Sequence, residues 1–407
     1  MIFRLLALSA VFSGTVVAEY DLDDARHDYW HRPLTDRFTK LKAELESGNV
    51  RLDGAGEKEC LLSLLKALNI PASSQMLIFS TTSLQLSLIS PRNPRALYFN
   101  EDVYLGFIPG GKIEIVSLDP QAGGVYYIFP IPRNGEAVRI ERSTRCMNCH
   151  SREDTGYVPG LVVKSVVPGP TGGSLQAFRQ GLSGHGIPYA ERFGGWYLTG
   201  KHGITEHWGN LIGRFQEGKL LKQPIEPGRY FSFDRYPVAT SDVLAHLIHE
   251  HQVGFANRVI EAAYFTRQTV DTKALTAEQS KALDTKAKEL VRYLLFAEEP
   301  ALPAGGVEGD AAFKTDFLAS RRAIPAGASL KDFDLKTRLF RYRCSYMIYS
   351  GVFQGLPDVL KQRVYQALRA ALDPQAAGRD FAYLPATEKQ AIRTILKGTL
   401  PGLPAGW

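Results

Sequence analysis

The sequence predicts an α+β protein in which a mainly antiparallel β-rich region is flanked by an N-terminal helical segment and a C-terminal helical block. Three observations predict it. Between about Met76 and Phe233, short β-rich runs are separated by turn clusters, the pattern of a meander. Before that stretch, Glu57 to Leu68 is apolar at helical spacing and stops at Asn69-Ile70-Pro71. After it, helical periodicity returns from Ser241 to about Ala297 and again from Leu335 to Lys397. With 44% hydrophobic and 22% charged residues in 407, the chain has the apolar material for a packed core, which excludes a disordered or collagen-like protein.

The elements follow in order. Met1-Ile2-Phe3-Arg4 carries one positive charge, Leu5 to Phe12 is apolar, and Val16-Val17-Ala18 supplies small residues before a cut, so residues 1–18 read as a secretory signal cleaved after Ala18. The apolar run is shorter than the roughly 20 residues of a spanning helix, and charges or turn residues interrupt every later one, so no transmembrane segment is expected in the mature chain. That places the protein in the periplasm or otherwise outside the cytoplasm. Residues 19–70 read as a helical segment and 71–237 as the β-rich region, with strands at Met76–Phe79, Ala96–Phe99, Val103–Phe107, Lys112–Leu118, Val125–Phe129, Leu161–Val167 and Gly195–Thr199. Residues 238–407 form the helical region, interrupted by an Ala/Gly/Pro-rich loop at about 298–329.

Charge and cysteine usage narrow the function. Lys plus Arg number 48 against 42 acidic residues, a net +6 without any run of five or six basic residues, so nothing points to nucleic acid. Four cysteines are too few for a disulfide scaffold of this size. Two of them lie in Arg145-Cys146-Met147-Asn148-Cys149-His150, which contains C-x-x-C-H, the attachment signature of a c-type haem. Two intervening residues put the thiols of Cys146 and Cys149 about one turn apart, where they can form thioethers to the haem vinyl groups, and His150 then lies against one ring face as proximal iron ligand. A thioredoxin-like reading needs a βαβ setting, which is missing, and a structural zinc site needs further ligands at short spacing, whereas the next is His185. One covalent haem c is therefore the expected cofactor.

The distal side of the iron is open among eight other histidines together with Met76, Met147 and Met347. Leu244, Leu247, Ile248, His251 and Phe255 fall on one helical stripe, which aims His251 at the core while His246 and His249 point elsewhere. The ordinary role of such a residue is a neutral core histidine satisfied by a polar neighbour; its other role here is distal ligand. His202 and the weaker candidate His207 sit in a glycine-flanked loop after a strand, where the backbone can approach a cofactor. A separate site built from His185, His202 and His207 has irregular spacing. Cys60 and Cys344, both within stretches that read as helical, are either a disulfide or two buried thiols.

Several blocks together resemble a family of exported bacterial monohaem c-type cytochrome-like proteins of unestablished function. They are Ser90-Pro91-Arg92-Asn93-Pro94-Arg95-Ala96-Leu97-Tyr98-Phe99-Asn100, the C-x-x-C-H block with Val158-Pro159-Gly160, Gly194-Gly195-Trp196-Tyr197 with Thr199-Gly200 and His202-Gly203, Glu250-His251-Gln252, and Cys344-Ser345-Tyr346 with Ile348-Tyr349-Ser350. The resemblance runs from about Cys60 to Leu396 and implies haem roles for Cys146, Cys149 and His150. The family pattern has Met where this chain has Trp208, so any iron ligand at that place is lost here. More loosely, strands around a C-x-x-C-H motif are similar to periplasmic haem-binding sensor domains of PAS type. The function expected is one-electron transfer to a redox partner protein, with a peroxidase-like haem enzyme and a haem-based sensor as alternatives. The catalytic residues of such an enzyme are not identifiable from the sequence.

Overall fold

Alternation of side chains along residues 76–142 gives a sheet with two buried faces. In the computed structural model, which describes residues 20–407 apart from 133–135, 137, 178–180, 271–273 and 376–378, the chain is α+β as expected. The expected signal peptide lies outside the described residues. The strands β1 (Met76–Ile78), β2 (Arg95–Phe99), β3 (Val103–Phe107), β4 (Lys112–Asp119), β5 (Gly123–Pro130) and β6 (Glu141–Arg142) form a consecutive antiparallel meander. After β7 (Val166–Pro168) and β8 (Ser174–Ala177), which pair with each other, β9 (Trp196–Tyr197) returns to pair with β1, giving the order β6-β5-β4-β3-β2-β1-β9. A separate hairpin, β10 (Leu211–Gln216) with β11 (Lys219–Pro224), turns through Glu217 and Gly218, both at positive φ.

The sheet divides two cores. One face carries Tyr98, Leu105, Ile113, Ile115 and Phe129 and packs against α1 (Arg37–Glu46) and α2 (Glu57–Ala67). The other carries Ile78, Phe99, Tyr104, Leu118 and Trp196 and packs against α4 (Val243–Thr269), which follows the single turn α3 (Met147–His150). The helical region continues with α5 (Ala277–Leu294), which packs on α4, α6 (Ala311–Ala319), whose Phe313 reaches Phe99 of the sheet, the short α7 (Gly351–Gln354), which touches α4 and β4, α8 (Asp358–Ala371), which packs on α5, and α9 (Ala386–Thr399). Asp242 caps α4 by accepting from the Leu244 N–H, and every residue from Val243 to Asn257 is buried. No helix among the described residues is long and apolar enough to cross a membrane.

Several expectations need correction. The Ala/Gly/Pro-rich stretch at 298–329 contains α6, capped by Asp310 and anchored by buried Phe313 and Phe317. The helical region expected from Leu335 begins only at the 3₁₀ turn Tyr346–Tyr349, so Cys344 lies outside any helix. Residues 20–34 form turns, and the strand expected at Leu161–Val167 is limited to β7. Cys60 and Cys344 are both free and buried. Cys60 lies on α2 and Cys344 in the core behind α4, with the sheet between the two layers.

One contact fixes α4 to the loop that follows the C-x-x-C-H turn. The buried Asn257 amide accepts from the Leu161 N–H (2.8 Å) and donates to the Leu161 carbonyl (2.8 Å). A buried backbone donor or acceptor left without a partner costs about 1–3 kcal/mol. Asn257→Ala should therefore lower the unfolding free energy by about 2–5 kcal/mol, read as a shifted urea midpoint at unchanged slope. An unchanged midpoint would remove the clamp from the argument.

Candidate haem-binding site

The site is built off the β5–β6 edge of the sheet. The Ser143 N–H donates to the Tyr126 carbonyl (2.9 Å), and the chain then turns into α3. Met147 points inward, buried beside the Tyr29 hydroxyl, while the neighbouring thiols look outward: Cys146 is half-buried, Cys149 exposed, and both are free. Their separation of three residues stacks them on one side of a helical turn. Burial raises the Cys146 thiol pKa against the opposing hydrogen bond with Ser143.

His150 is oriented by a backbone it also supports. Its Nδ1 lies 2.8 Å from the Gly160 carbonyl, which only accepts, so Nδ1 carries the proton and Nε2 presents its lone pair. In return the Gly160 N–H donates to the His150 carbonyl (2.9 Å). The Tyr126 hydroxyl also donates to the Gly160 carbonyl (2.7 Å), and the Tyr126 ring lies 4.8 Å from the imidazole. The Pro159 carbonyl accepts from the Gly124 N–H (2.8 Å), and Leu161 is held by Asn257. A Cβ on Gly160 would come 2.6 Å from Asn257 Oδ1 and 2.9 Å from the Thr155 Cβ, so only glycine fits there. Val158-Pro159-Gly160 thus acts as the brace for the His150 imidazole.

The imidazole lies against Tyr126 on β5, within electrostatic reach of Arg95 and Glu114, where the sheet is only half covered. Leu97, Glu114, Val116 and Ile128 are half-buried on a face whose Phe99, Tyr104 and Leu118 are covered by α4. Gly106 sits between Leu97 and Glu114 in the same cross-strand row and adds no side chain. Arg95 lies across it, paired with Glu114 (2.8 Å) and with Nε buried and unpartnered. Burial pushes the Glu114 carboxyl up, but Arg95 together with Ser83 and Gln85 holds it below the usual range. Burial lowers the His150 pKa, Arg95 lowers it further, and Gly160 and Glu114 oppose both. Two free thiols one turn apart, an imidazole with a free Nε2, a half-buried sheet face and a guanidinium nitrogen without a partner among the described residues fit a c-type haem, whose edge carries anionic propionates. A cavity of about 480 Å³ opens on α4 and α5 beside Gly156 and Tyr157, but it is lined by Arg258, Glu261, Lys286 and Glu289 with no imidazole or thiol among the described residues.

The other histidines are dispersed. His251 is fully buried with both ring nitrogens engaged, Nδ1 at 2.8 Å from His185 Nδ1 and Nε2 at 2.7 Å from Ser345 Oγ. The Ala297 carbonyl, 3.3 Å from His185 Nε2, accepts only, which sets the direction of the chain. Ser345 O–H donates to His251 Nε2, His251 Nδ1–H to His185 Nδ1, and His185 Nε2–H to Ala297. Neither nitrogen of His251 is left for a metal in this arrangement, and its role is that of a neutral core histidine. His202 and His207 pack edge to face at 5.3 Å; His202 Nδ1 lies 3.1 Å from the Ile204 carbonyl and His207 Nδ1 accepts from the Gly209 N–H. No group of three metal-binding side chains occurs among the described residues, and His185 is bound to His251 instead of joining His202 and His207. Trp208 is buried under Lys222, whose ammonium stands 4.3 Å from its ring centroid.

His249 is the residue that sequence reasoning passed over. It is buried on α4, 5.2 Å from the Phe99 ring and 5.6 Å from the Tyr104 ring, and makes no hydrogen bond to a described residue. Compared with protein-family models, curated proteins and solved structures, the chain matches none.

Buried imidazoles also set a pH dependence. Burial lowers His27 to about 4 and His246 to about 3, and holds His185 well below the ordinary 6.5. The folded protein then binds fewer protons than the unfolded chain, so this stability is complete above pH 6.5 and is lost as pH falls toward the folded values. Thermal midpoints should be level above pH 6.5 and already fall between 6.5 and 5, above the carboxylate range near about 4. A midpoint flat down to pH 5 would contradict neutral burial of these rings.

Proposed function

We propose that the protein is an exported c-type cytochrome that carries one covalent haem and passes single electrons to a redox partner protein. The observation that carries this reading is the braced His150, whose Nε2 makes no hydrogen bond to a described residue, beside two free thiols and a half-buried strip of the sheet. A bound haem supplies an iron centre that changes oxidation state one electron at a time. Cys146 and Cys149 anchor the group by adding their thiols across its two vinyl groups; each S–C bond forms as the thiol hydrogen passes to the same vinyl, and no oxidant is consumed. The exposed position of Cys149 brings an edge of the attached group to the surface, where a partner can approach. Arg95 supplies positive charge beside the attachment turn, and Glu114 holds its guanidinium in place. The signal-like segment over residues 1–18 supports export, since covalent attachment keeps the cofactor in a protein that leaves the cytoplasm.

In protein made with a c-type haem maturation system, the double variant Cys146→Ala/Cys149→Ala should lose all haem staining on a denaturing gel, and the secreted parent should begin at Glu19. Staining that survives in the double variant would sink the assignment. Carrier and catalyst separate on a second measurement. An electron carrier should bind carbon monoxide slowly or not at all when reduced and give no peroxide-driven turnover of a reducing dye; rapid binding with turnover would favour the peroxidase-like reading, and rapid binding without it the sensor.

A further inference from the structure

The histidines divide by what their rings bond to. His150, His185, His202, His207, His246 and His251 each have a ring nitrogen within hydrogen-bond distance of a backbone or side-chain partner, His27 accepts from Arg267, and His31 lies beside Asp28. His249 alone has aromatic contacts and no hydrogen bond to a described residue. An imidazole always carries one N–H and one lone pair, or two N–H groups when protonated. The ring nitrogens of His249 have no such partner among the described residues, and they are not among the fully buried polar atoms, so a ligand can reach them.

Sheet register shows where that occupant lies. Phe99, Tyr104, Val116 and Tyr126 form one cross-strand row, since Phe99 pairs with Tyr104, Tyr104 with Val116 and Val116 with Tyr126. His249 packs on Phe99 and Tyr104, over β2 and β3, and His150 packs on Tyr126, over β5. Only β4 separates them, on strands spaced about 4.8 Å apart, and its residue in the row is the half-buried Val116. Both imidazoles also feel the same cation, Arg95. The two elements are tied together, because Asn257, two turns beyond His249 on α4, holds the loop that orients His150. On the reading of a c-type haem given above, we infer that His249 is the second axial ligand of the iron, opposite His150, and that the group stands over β4 between them.

The test uses the full-length protein with haem attached by the maturation system, comparing visible and electron paramagnetic resonance spectra of the parent with those of His249→Ala, His249→Met, His251→Ala and His202→Ala, each checked for covalent haem by staining. The parent should be six-coordinate and low-spin. His249→Ala should keep its covalent haem and lose the low-spin spectrum, and added imidazole should restore it, an effect that general misfolding does not give. His249→Met, which retains a side chain able to bind iron, should remain low-spin with a raised reduction potential. His251→Ala and His202→Ala should keep the parent spectrum where they fold. A low-spin parent spectrum unchanged in His249→Ala, or lost instead in His202→Ala without imidazole rescue at His249→Ala, overturns the inference while leaving the haem attachment standing. A parent without covalent haem overturns both.

Discussion

The amide of Asn257 is the interaction on which the arrangement depends. It closes two hydrogen bonds on the backbone of Leu161 inside a core where neither water nor another side chain can replace it. Through Gly160 it sets the position of the carbonyl that accepts from His150 Nδ1–H, and through α4 it sets His249 relative to the same sheet face. The close approach of Asn257 to Gly160 explains why that loop needs a residue without a side chain. A single polar side chain thereby converts the fold of the helical block into the orientation of an imidazole on the sheet edge.

Around that contact the sheet acts as a partition. Its N-terminal side is closed by α1 and α2 through ordinary apolar packing, and the Tyr29 hydroxyl joins the start of β5 to α3 by donating to the Gly124 carbonyl beside the Met147 sulfur. Its other side is covered by α4 only in part, so that a half-open strip from Leu97 to Ile128 is left beside the thiols. The meander β1 to β6 pairs each strand with its neighbour in sequence, so its register is held by local pairing, and β9 alone returns from a distance to β1. The size of the chain, more than a single haem needs for burial, goes largely into the layers that immobilise α4 from behind.

Much of this was legible in the sequence where local physics decides. The β-rich runs Val103–Phe107 and Lys112–Leu118, divided by Pro109-Gly110-Gly111, predict β3 and β4 nearly to the residue, because strand propensity and turn chemistry agree there. The attachment motif is a local spacing, and so was visible at once. The stripe on α4 aimed His251 at the core, where it lies with both ring nitrogens engaged in its ordinary role of a neutral core histidine, but it did not single out His249. Selecting His251 assumed that α4 has one buried stripe, but from Val243 to Asn257 every side is buried, so periodicity carries no information about which face meets the sheet and which meets Ser345. That His249 makes no hydrogen bond to a described residue is visible only in the packed structure. α6 was hidden by its composition, since Gly and Pro around it outweighed the Asp310 cap and the Phe313 and Phe317 pair. The hairpin of β10 and β11 was overlooked although Glu217-Gly218 between two apolar-polar runs is a fair signal for a two-residue turn.

Whether the braced imidazole and the two outward thiols hold a haem is tested most directly by the intact mass of the secreted protein after denaturation. Made with the maturation machinery for c-type haem, the chain should be heavier than its polypeptide by one haem, retained through unfolding and removed by replacing the two thiols of α3 and its preceding residue. A mass equal to the polypeptide alone, from a host that loads a known c-type cytochrome in parallel, would contradict it.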